Sequence, residues 1–172
     1  TPVTITSSDA SVASVNGTPV VSTGARTVAL NVVTGIEGVA TLTLRAGSDI
    51  TFVSWGAMTV ETLAAAEALA AEDGVAAEVI DIATLKPLDF ATILASVERT
   101  GRCVIVQEAP LTSGFGAEIA ARLADQGLMH LLAPVKRVAG YDTVMPLPRL
   151  EKYYLPDVAR ILATAREVLA YR

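Results

Sequence analysis

The sequence predicts an α/β protein in which a mainly parallel sheet is flanked by helices in three layers and is preceded by a short all-β segment. From Ala46 onward, short β-branched runs alternate with helical stretches, as in parallel sheets that helices cover. Residues 1–44 carry only three charged residues and alternate in apolar character, as half-buried strands do. The apolar fraction of 52% in 172 residues is ample for a buried core.

The N-terminal segment contains four predicted strands separated by the turn signals Asn16-Gly17 and Thr23-Gly24-Ala25. The strands are Val3–Thr6, Ser11–Val15, Arg26–Val32 and Val39–Leu44. The segment weakly resembles part of a bacterial immunoglobulin-like repeat. We place the domain boundary between Leu44 and Ser48, giving units 1–44 and 45–172, although the strand at 39–44 is also able to pair into the following sheet.

Strands and helices then alternate along the rest of the chain. The predicted strands are 49–55, 76–82, 103–107 and 135–139, and the predicted helices are 60–72, 90–98, 116–126 and 157–171. Asp89 suits the N-cap of its helix, and Gly74, Gly101 and Gly127 end the helices before them. Residues 141–156 contain several prolines, and we expect them to form a long irregular loop.

Composition excludes several classes of function. A net charge of −5 and a pI near 4.8 leave no basic stripe for a nucleic-acid backbone. With one His and one Cys, neither an intramolecular disulfide nor a standard zinc cluster is expected. There is no run of about 20 apolar residues and no signal-peptide pattern, so we expect a cytoplasmic protein without a membrane partner.

The stretch from Val104 to Glu118 is the first candidate for a site, because it takes a strand end into a helix N-terminus. Ligands of open α/β sheets bind at such strand ends. The N–H groups of Thr112, Ser113 and Gly114 either face an anion or simply begin the helix. Gly56, after the first strand of the sheet, either lets a ligand approach the backbone or makes a turn.

Two carboxylates bracket this stretch and are the candidates for acid and base chemistry. Glu118 lies in the first helical turn, where the helix dipole alone favours a negative charge, and Glu108 is the better candidate for a buried carboxylate. Cys103 lies within an apolar strand and is interpreted as a buried small hydrophobic residue. The loop at 141–156 is interpreted as an interface, because Tyr141, Met145, Tyr153 and Tyr154 lie within it.

Several motifs resemble the C-terminal domain of the β-subunit of thiamine-diphosphate-dependent 2-oxo acid dehydrogenases, a domain of transketolase C-terminal type. The motifs are Arg45–Met58, Val79–Asp89, Gln107–Ala121, Ala133–Pro146 and Glu151–Pro156. In that family the thiamine pyrimidine is met by a glutamate of the preceding domain, and the diphosphate and Mg²⁺ by the α-subunit. Neither is expected in this chain. The family commonly has His where this sequence has Gln107, so the proton chemistry of a His would be absent here.

The resemblance implies a non-catalytic domain for subunit association and partner docking, without catalytic, cofactor-binding or metal-binding residues of its own. In the family the partners are the decarboxylase α-subunit and the subunit-binding domain of the acyltransferase. We expect at least a homodimer. Residues expected at an interface or an anion site are Gly56, Gln107, Glu108, Thr112, Ser113, Gly114, Phe115, Tyr141, Asp142, Met145, Tyr153 and Tyr154.

Two other functions remain open on the sequence. The chain is either a fragment of an active 2-oxo acid dehydrogenase β-subunit that needs other chains, or a module that binds a small molecule or an anion. The β-type residues 1–44 stand where the family has its cofactor-binding domain. This departure suggests a chimaera, an engineered recombination or a truncated gene product.

Overall fold

The computed structural model describes residues 47–172 in full and, before them, the backbone of four short strands at 6–7, 13–15, 32–34 and 42–45. The strands are β1 Thr6–Ser7, β2 Ala13–Val15, β3 Val32–Thr34, β4 Leu42–Arg45, β5 Ile50–Ser54, β6 Ala77–Asp81, β7 Cys103–Pro110 and β8 Lys136–Gly140. The helices are α1 Met58–Asp73, α2 Phe90–Thr100, α3 Phe115–Gln126, α4 Pro148–Tyr154 and α5 Val158–Ala170, with a 3₁₀ turn at Leu128–His130 after α3.

The main sheet has the strand order β1-β4-β6-β5-β7-β8, and its four strands β6, β5, β7 and β8 are parallel. Strand β4 lies antiparallel to β6, with Leu42 opposite Asp81. Strands β2 and β3 form a separate antiparallel pair. The predicted α/β class with a mainly parallel sheet is therefore confirmed.

The N-terminal predictions are only partly covered by the described residues. Each predicted strand overlaps a described one, and the strand that ends near Leu44 pairs with β6 in the main sheet. The turns at Asn16-Gly17 and Thr23-Gly24-Ala25 lie outside the described residues. The division into units 1–44 and 45–172 stays a prediction.

Helices cover both faces of the sheet because the strand residues alternate between two apolar layers. Ile50 and Phe52 of β5 face α1 and α5, where Leu69 and Ile161 are fully buried. Val53, the next residue of the strand, belongs to the opposite layer, which α2 and α3 close. This is the three-layer arrangement that a parallel sheet with two apolar faces requires.

Polar contacts fix how α2 lies on the sheet. The buried Thr51 hydroxyl is 2.7 Å from the hydroxyls of both Ser96 and Thr100. On the neighbouring strand, the buried Glu78 carboxylate accepts a hydrogen bond from the guanidinium of Arg99. Buried polar groups are costly unless they are paired, so these contacts favour a single position of α2.

The predicted helix ends follow known capping chemistry. The Asp89 side chain accepts a hydrogen bond from the Thr92 N–H at 3.2 Å, which confirms Asp89 as the N-cap of α2. Gly74 and Gly101 follow α1 and α2 with φ of 69° and 67°, a left-handed conformation that favours glycine. Helix α4 was not predicted, because its proline was interpreted as a loop residue. Pro148 occupies the first turn, where a missing N–H costs nothing.

Helix α5 protects the outer edge of β8. Arg160 of α5 donates a hydrogen bond to the Ala139 carbonyl at 2.6 Å, and Lys136 pairs with Glu167 at 2.5 Å. An edge strand with free backbone groups is a template for unwanted pairing. Here one edge carbonyl is occupied and one edge side chain is charged, so further strands are discouraged from adding to β8.

Candidate functional site

The crevice where an open α/β sheet usually binds ligands lies between the carboxyl ends of β5 and β7, because the chain leaves these adjacent strands in opposite directions. Trp55 follows β5 and Phe115 begins α3. Their rings meet edge to face with centroids 5.7 Å apart and an interplanar angle of 89°. Both side chains are half-buried, so the chain's own aromatic residues pack at this crevice.

Gly56 makes the turn between β5 and α1. Its φ is 61°, and its carbonyl accepts a hydrogen bond from the Thr59 N–H at 3.2 Å. A Cβ added at Gly56 would meet no atom within 4 Å. The turn conformation therefore explains this glycine, and no close approach of other protein atoms requires it.

Gln107 is fully buried at the carboxyl end of β7, so its side chain is not itself exposed as an interface residue. Its Nε2 donates to the carbonyls of Pro110 at 2.8 Å and Ala109 at 3.2 Å. Its Oε1 accepts the N–H of Gly116 at 2.7 Å. The amide thus joins the end of β7 to the first turn of α3.

These hydrogen bonds serve an irregular part of the sheet. Between Val106 and Pro110, β7 advances four residues while β8 advances two, from Val138 to Gly140. Such a bulge disrupts the backbone ladder, and displaced carbonyls then need other donors. The Gln107 side chain supplies them at Ala109 and Pro110.

Thr112 is held by Asp142 of the loop after β8. The Thr112 N–H and hydroxyl donate to the two carboxylate oxygens at 2.8 and 2.6 Å, and these bonds lower the pKa of Asp142 below its ordinary value. Ser113 follows with φ of 61°. A carboxylate thus occupies one of the three N–H groups considered for an anion, and its charge opposes a second anion nearby.

The two carboxylates that bracket this stretch are both exposed. Glu108 was the better candidate for a buried carboxylate, and this expectation is wrong, because Glu108 is exposed in the irregular part of β7 after Val106. Glu118 lies in the first turn of α3, as predicted, and pairs with Arg122 at 2.7 Å. Neither glutamate is enclosed by the protein, whereas a carboxyl group that acts as a catalytic acid is usually held in an apolar, closed environment.

Tyr154 was interpreted as an interface residue, but it is buried inside the chain with 5% of its surface exposed, so its side chain packs within the protein and does not itself form a surface. Its ring meets that of Tyr141 edge to face at 6.4 Å. A Cβ added at Gly140 would lie 2.6 Å from this ring and 2.5 Å from the Glu108 carbonyl oxygen. Arg160 completes the group, with its guanidinium 4.7 Å from the centre of the Tyr141 ring.

Apolar side chains are exposed around the packed group of Gly140, Tyr154 and Arg160, at the carboxyl ends of β7 and β8. We call them the carboxyl-edge patch: Leu111, Tyr141, Val144, Met145, Leu147, Leu150 and Tyr153. Val144 and Leu147 are 88% and 81% exposed. Single exposed apolar residues are ordinary, but a run of them on one segment is typical of an interaction surface.

A polar chain at the ends of β5 and β6 was not predicted. The Ser54 hydroxyl lies 3.4 Å from that of Thr59, which donates to the Asp81 carboxylate at 3.0 Å. Desolvation raises the pKa of Asp81, and the Thr59 hydrogen bond partly opposes it. No local sequence signal marks this group, because its members come together only when β6 pairs with β5.

Cys103 is fully buried, and burial raises the pKa of its thiol to about 12, which confirms its interpretation as a small hydrophobic residue. Within residues 47–172 and the four short strands, no group of three or more His, Cys, Asp or Glu residues is positioned to hold a metal ion.

Residues 40–161 match the family described as "Transketolase, C-terminal domain". The chain belongs to this family. The match begins just before β4 and ends within α5, so it includes the parallel strands and the whole carboxyl-edge patch of the transketolase C-terminal domain. None of the helices in the described part of the domain has both the length and the apolar character needed to cross a membrane.

Known relatives show which proteins of this family the chain is similar to. The pyruvate dehydrogenase E1 component subunit beta of Bacillus subtilis (strain 168) is 46% identical over 127 residues, covering 74% of this chain and 39% of the relative. The protein of the same description from Leifsonia xyli subsp. xyli (strain CTCB07) is 47% identical over 128 residues, covering 74% and 38%. The chain thus spans less than two fifths of these relatives. The resemblance inferred from the motifs is confirmed.

Solved structures agree with the fold. A split-gene transketolase, described as an inactive beta4 tetramer, aligns with a TM-score of 0.68 at 28% identity, covering 80% of this chain and 48% of that chain. The 2-oxoglutarate:ferredoxin oxidoreductase from Magnetococcus marinus aligns with a TM-score of 0.52 at 10% identity, covering 78% and 20%. The second likeness concerns the fold alone.

Proposed function

We propose that this chain is a non-catalytic subunit-association and partner-docking domain of a 2-oxo acid dehydrogenase decarboxylase component. The observation that carries the proposal is the carboxyl-edge patch, which is apolar, exposed and supported from beneath by buried contacts. The relatives at 46–47% identity are described as subunits, so association is part of how they work. We assign no thiamine-diphosphate or Mg²⁺ contact to the described part of the chain.

The first occupant of the patch that we propose is a second copy of this chain. The related split-gene transketolase assembles as a beta4 tetramer, which supports self-association of this type of chain. The exposed apolar side chains of the patch also favour it, since exposed apolar area is removed from water when two copies meet. The family resemblance further suggests docking of a decarboxylase α-subunit or of an acyltransferase domain.

Sedimentation equilibrium at tens of micromolar tests the proposal. We expect at least a dimer, and we expect Leu147→Glu to raise the dissociation constant about tenfold or more, because a charge must then be desolvated at the contact. Met129→Glu is the matched control. Met129 is 92% exposed and lies in the 3₁₀ turn after α3. This turn is near the amino end of β7, where the Leu132 N–H donates to the Gly101 carbonyl, away from the carboxyl-edge patch. A monomeric wild-type chain, or equal effects of both variants, would reject the proposal.

The short coverage of the relatives favours one second candidate. A chain that matches 39% of a β-subunit at 46% identity is a plausible functional fragment of an active dehydrogenase once the other parts are supplied. Addition of the α-subunit and a cofactor-binding domain as separate chains, followed by an assay of 2-oxo acid decarboxylation, tests this candidate. Activity that depends on this chain supports it, and its absence in an assembled mixture opposes it.

A further inference from the structure

Both the Nε2 and the Oε1 of the buried Gln107 side chain form hydrogen bonds with backbone groups. Its two Nε2 hydrogens are directed to the Ala109 and Pro110 carbonyls, and its Oε1 accepts the Gly116 N–H. Each end of the amide therefore has a partner suited to its chemistry. Ala109 and Pro110 lie near the start of the segment 108–114, and Gly116 lies just after its end. This segment includes Leu111 of the carboxyl-edge patch.

The Gly116 hydrogen bond acts as a cap on α3 from outside the helix. The N-terminal N–H groups of a helix have no partner within it, and an N-cap side chain normally supplies one. The N-cap here is Gly114, which has no side chain to do so. Gln107 provides the acceptor from the neighbouring strand, so the start of α3 depends on a strand residue.

Two glycines leave the space that this amide fills. A Cβ at Gly114 would lie 2.0 Å from the Gln107 Nε2, and a Cβ at Gly116 would lie 2.7 Å from its Oε1. Real Cβ atoms do not approach other atoms this closely, so neither position has room for a larger residue beside the amide. Gln107, Gly114 and Gly116 thus form one fitted unit.

We infer that Gln107 is a positioning residue for the carboxyl-edge patch. It fixes both ends of the segment 108–114, and that segment holds the loop after β8 through the Thr112 hydrogen bonds to Asp142. A second tie runs from the Arg137 guanidinium to the Leu111 carbonyl at 2.7 Å. The inference rests on the proposed function, because it assigns Gln107 a role in presenting the surface that associates.

Gln107→Leu tests the inference, with Gln126→Leu as the matched control. Leu removes the hydrogen bonds while filling most of the same space, and Gln126 is exposed at the end of α3. We expect the Gly116 amide hydrogen to exchange about tenfold faster or more in Gln107→Leu, and the dissociation constant of the dimer to rise about tenfold. Gln126→Leu leaves both values unchanged.

The two readouts separate this inference from the proposed function. Unchanged exchange at Gly116 in Gln107→Leu overturns the inference, whatever the association state. Faster exchange with an unchanged dissociation constant also overturns it, since Gln107 then supports the fold alone. A wild-type chain that stays monomeric rejects the proposed function, and faster Gly116 exchange then still supports the positioning of the segment 108–114.

A cycle with Gly116→Ala tests the fitted unit independently of association. The added methyl group presses on the Gln107 Oε1 in the wild-type background, and this contact is absent in a Gln107→Ala background. We therefore expect Gly116→Ala to lower the unfolding midpoint by a smaller amount when Gln107 is already Ala. Equal effects in the two backgrounds would contradict the fitted unit.

Discussion

Two adjacent tyrosines of α4 give a matched pair of substitutions, because one points inward and the other outward. Tyr154 is 5% exposed and packs directly on Gly140, whereas Tyr153 is 66% exposed. Truncation of a large buried aromatic residue to Ala typically costs about 3–5 kcal/mol of stability. Helix α4 is short and lies at the surface, where the chain is able to close over part of the gap, so we expect about 3 kcal/mol for Tyr154→Ala.

Truncation of Tyr153, the exposed neighbour of Tyr154, should have only a small effect on stability. An exposed substitution away from special contacts changes the free energy of unfolding by about 0.5 kcal/mol or less, which is our expectation for Tyr153→Ala. For a chain of this size, a cost of about 3 kcal/mol lowers the melting temperature by roughly 6–12 °C. Tyr153 belongs to the carboxyl-edge patch, so its truncation should instead weaken association.

Urea unfolding distinguishes the two outcomes. Far-UV circular dichroism follows the helices, and the fluorescence of Trp55, the one tryptophan of the sequence, follows the end of β5. Self-association stabilises the folded state by mass action, so the midpoints should be compared at several protein concentrations and extrapolated to dilute solution. If the urea midpoints extrapolated to dilute solution were equal for Tyr153→Ala and Tyr154→Ala, Tyr154 would not be the residue that anchors α4.

Three further predictions concern single positions. Asp81→Asn should be more stable than the wild type at neutral pH, because the pKa of the Asp81 carboxyl is raised on folding. Such a carboxyl contributes its full stability to the folded state at a pH below its pKa in the unfolded chain, about 3.9, and loses it as the pH rises through its pKa in the folded state. Urea titrations across this range should therefore show the advantage of the variant growing with pH, and a constant difference would contradict it. Cys103 should react with Ellman's reagent only as fast as the chain opens, because its thiol is buried; rapid reaction of the folded protein would show that the strand is accessible. Gly140→Ala should cost about 1–3 kcal/mol in urea unfolding, since its methyl group meets both a carbonyl and a ring, and a neutral effect would contradict this packing.

The sequence was informative wherever local patterns decide structure. Apolar runs placed the parallel strands to within a few residues, and Asp89 and the glycines after α1 and α2 marked helix ends correctly. These features depend on backbone preferences that neighbouring residues set. The proline rule failed at Pro148 because proline both breaks helices and begins them, and residue type alone does not separate the two cases.

The details of the carboxyl edge depended on contacts between distant residues. The sequence indicated that residues 104–118 and 141–156 were important, but it did not show that Glu108 is exposed, that Tyr154 is buried or that Thr112 binds Asp142. Glu108 lies in the bulge of β7, Tyr154 packs on Gly140 of β8, and Thr112 and Asp142 are 30 residues apart. The structure also gives Gln107 a physical role that the sequence did not show, because the donors and the acceptor of its amide fit three backbone groups.

In the proposed function, this chain associates through the carboxyl-edge patch. The most direct measurement is amide hydrogen exchange at two protein concentrations, one well below and one well above the association midpoint. We predict that protection from amide exchange in residues 141–153 rises with protein concentration. Protection in residues 128–132, near the amino end of β7, should not change. Concentration-independent exchange at 141–153, or a rise confined to 128–132, would contradict the claim.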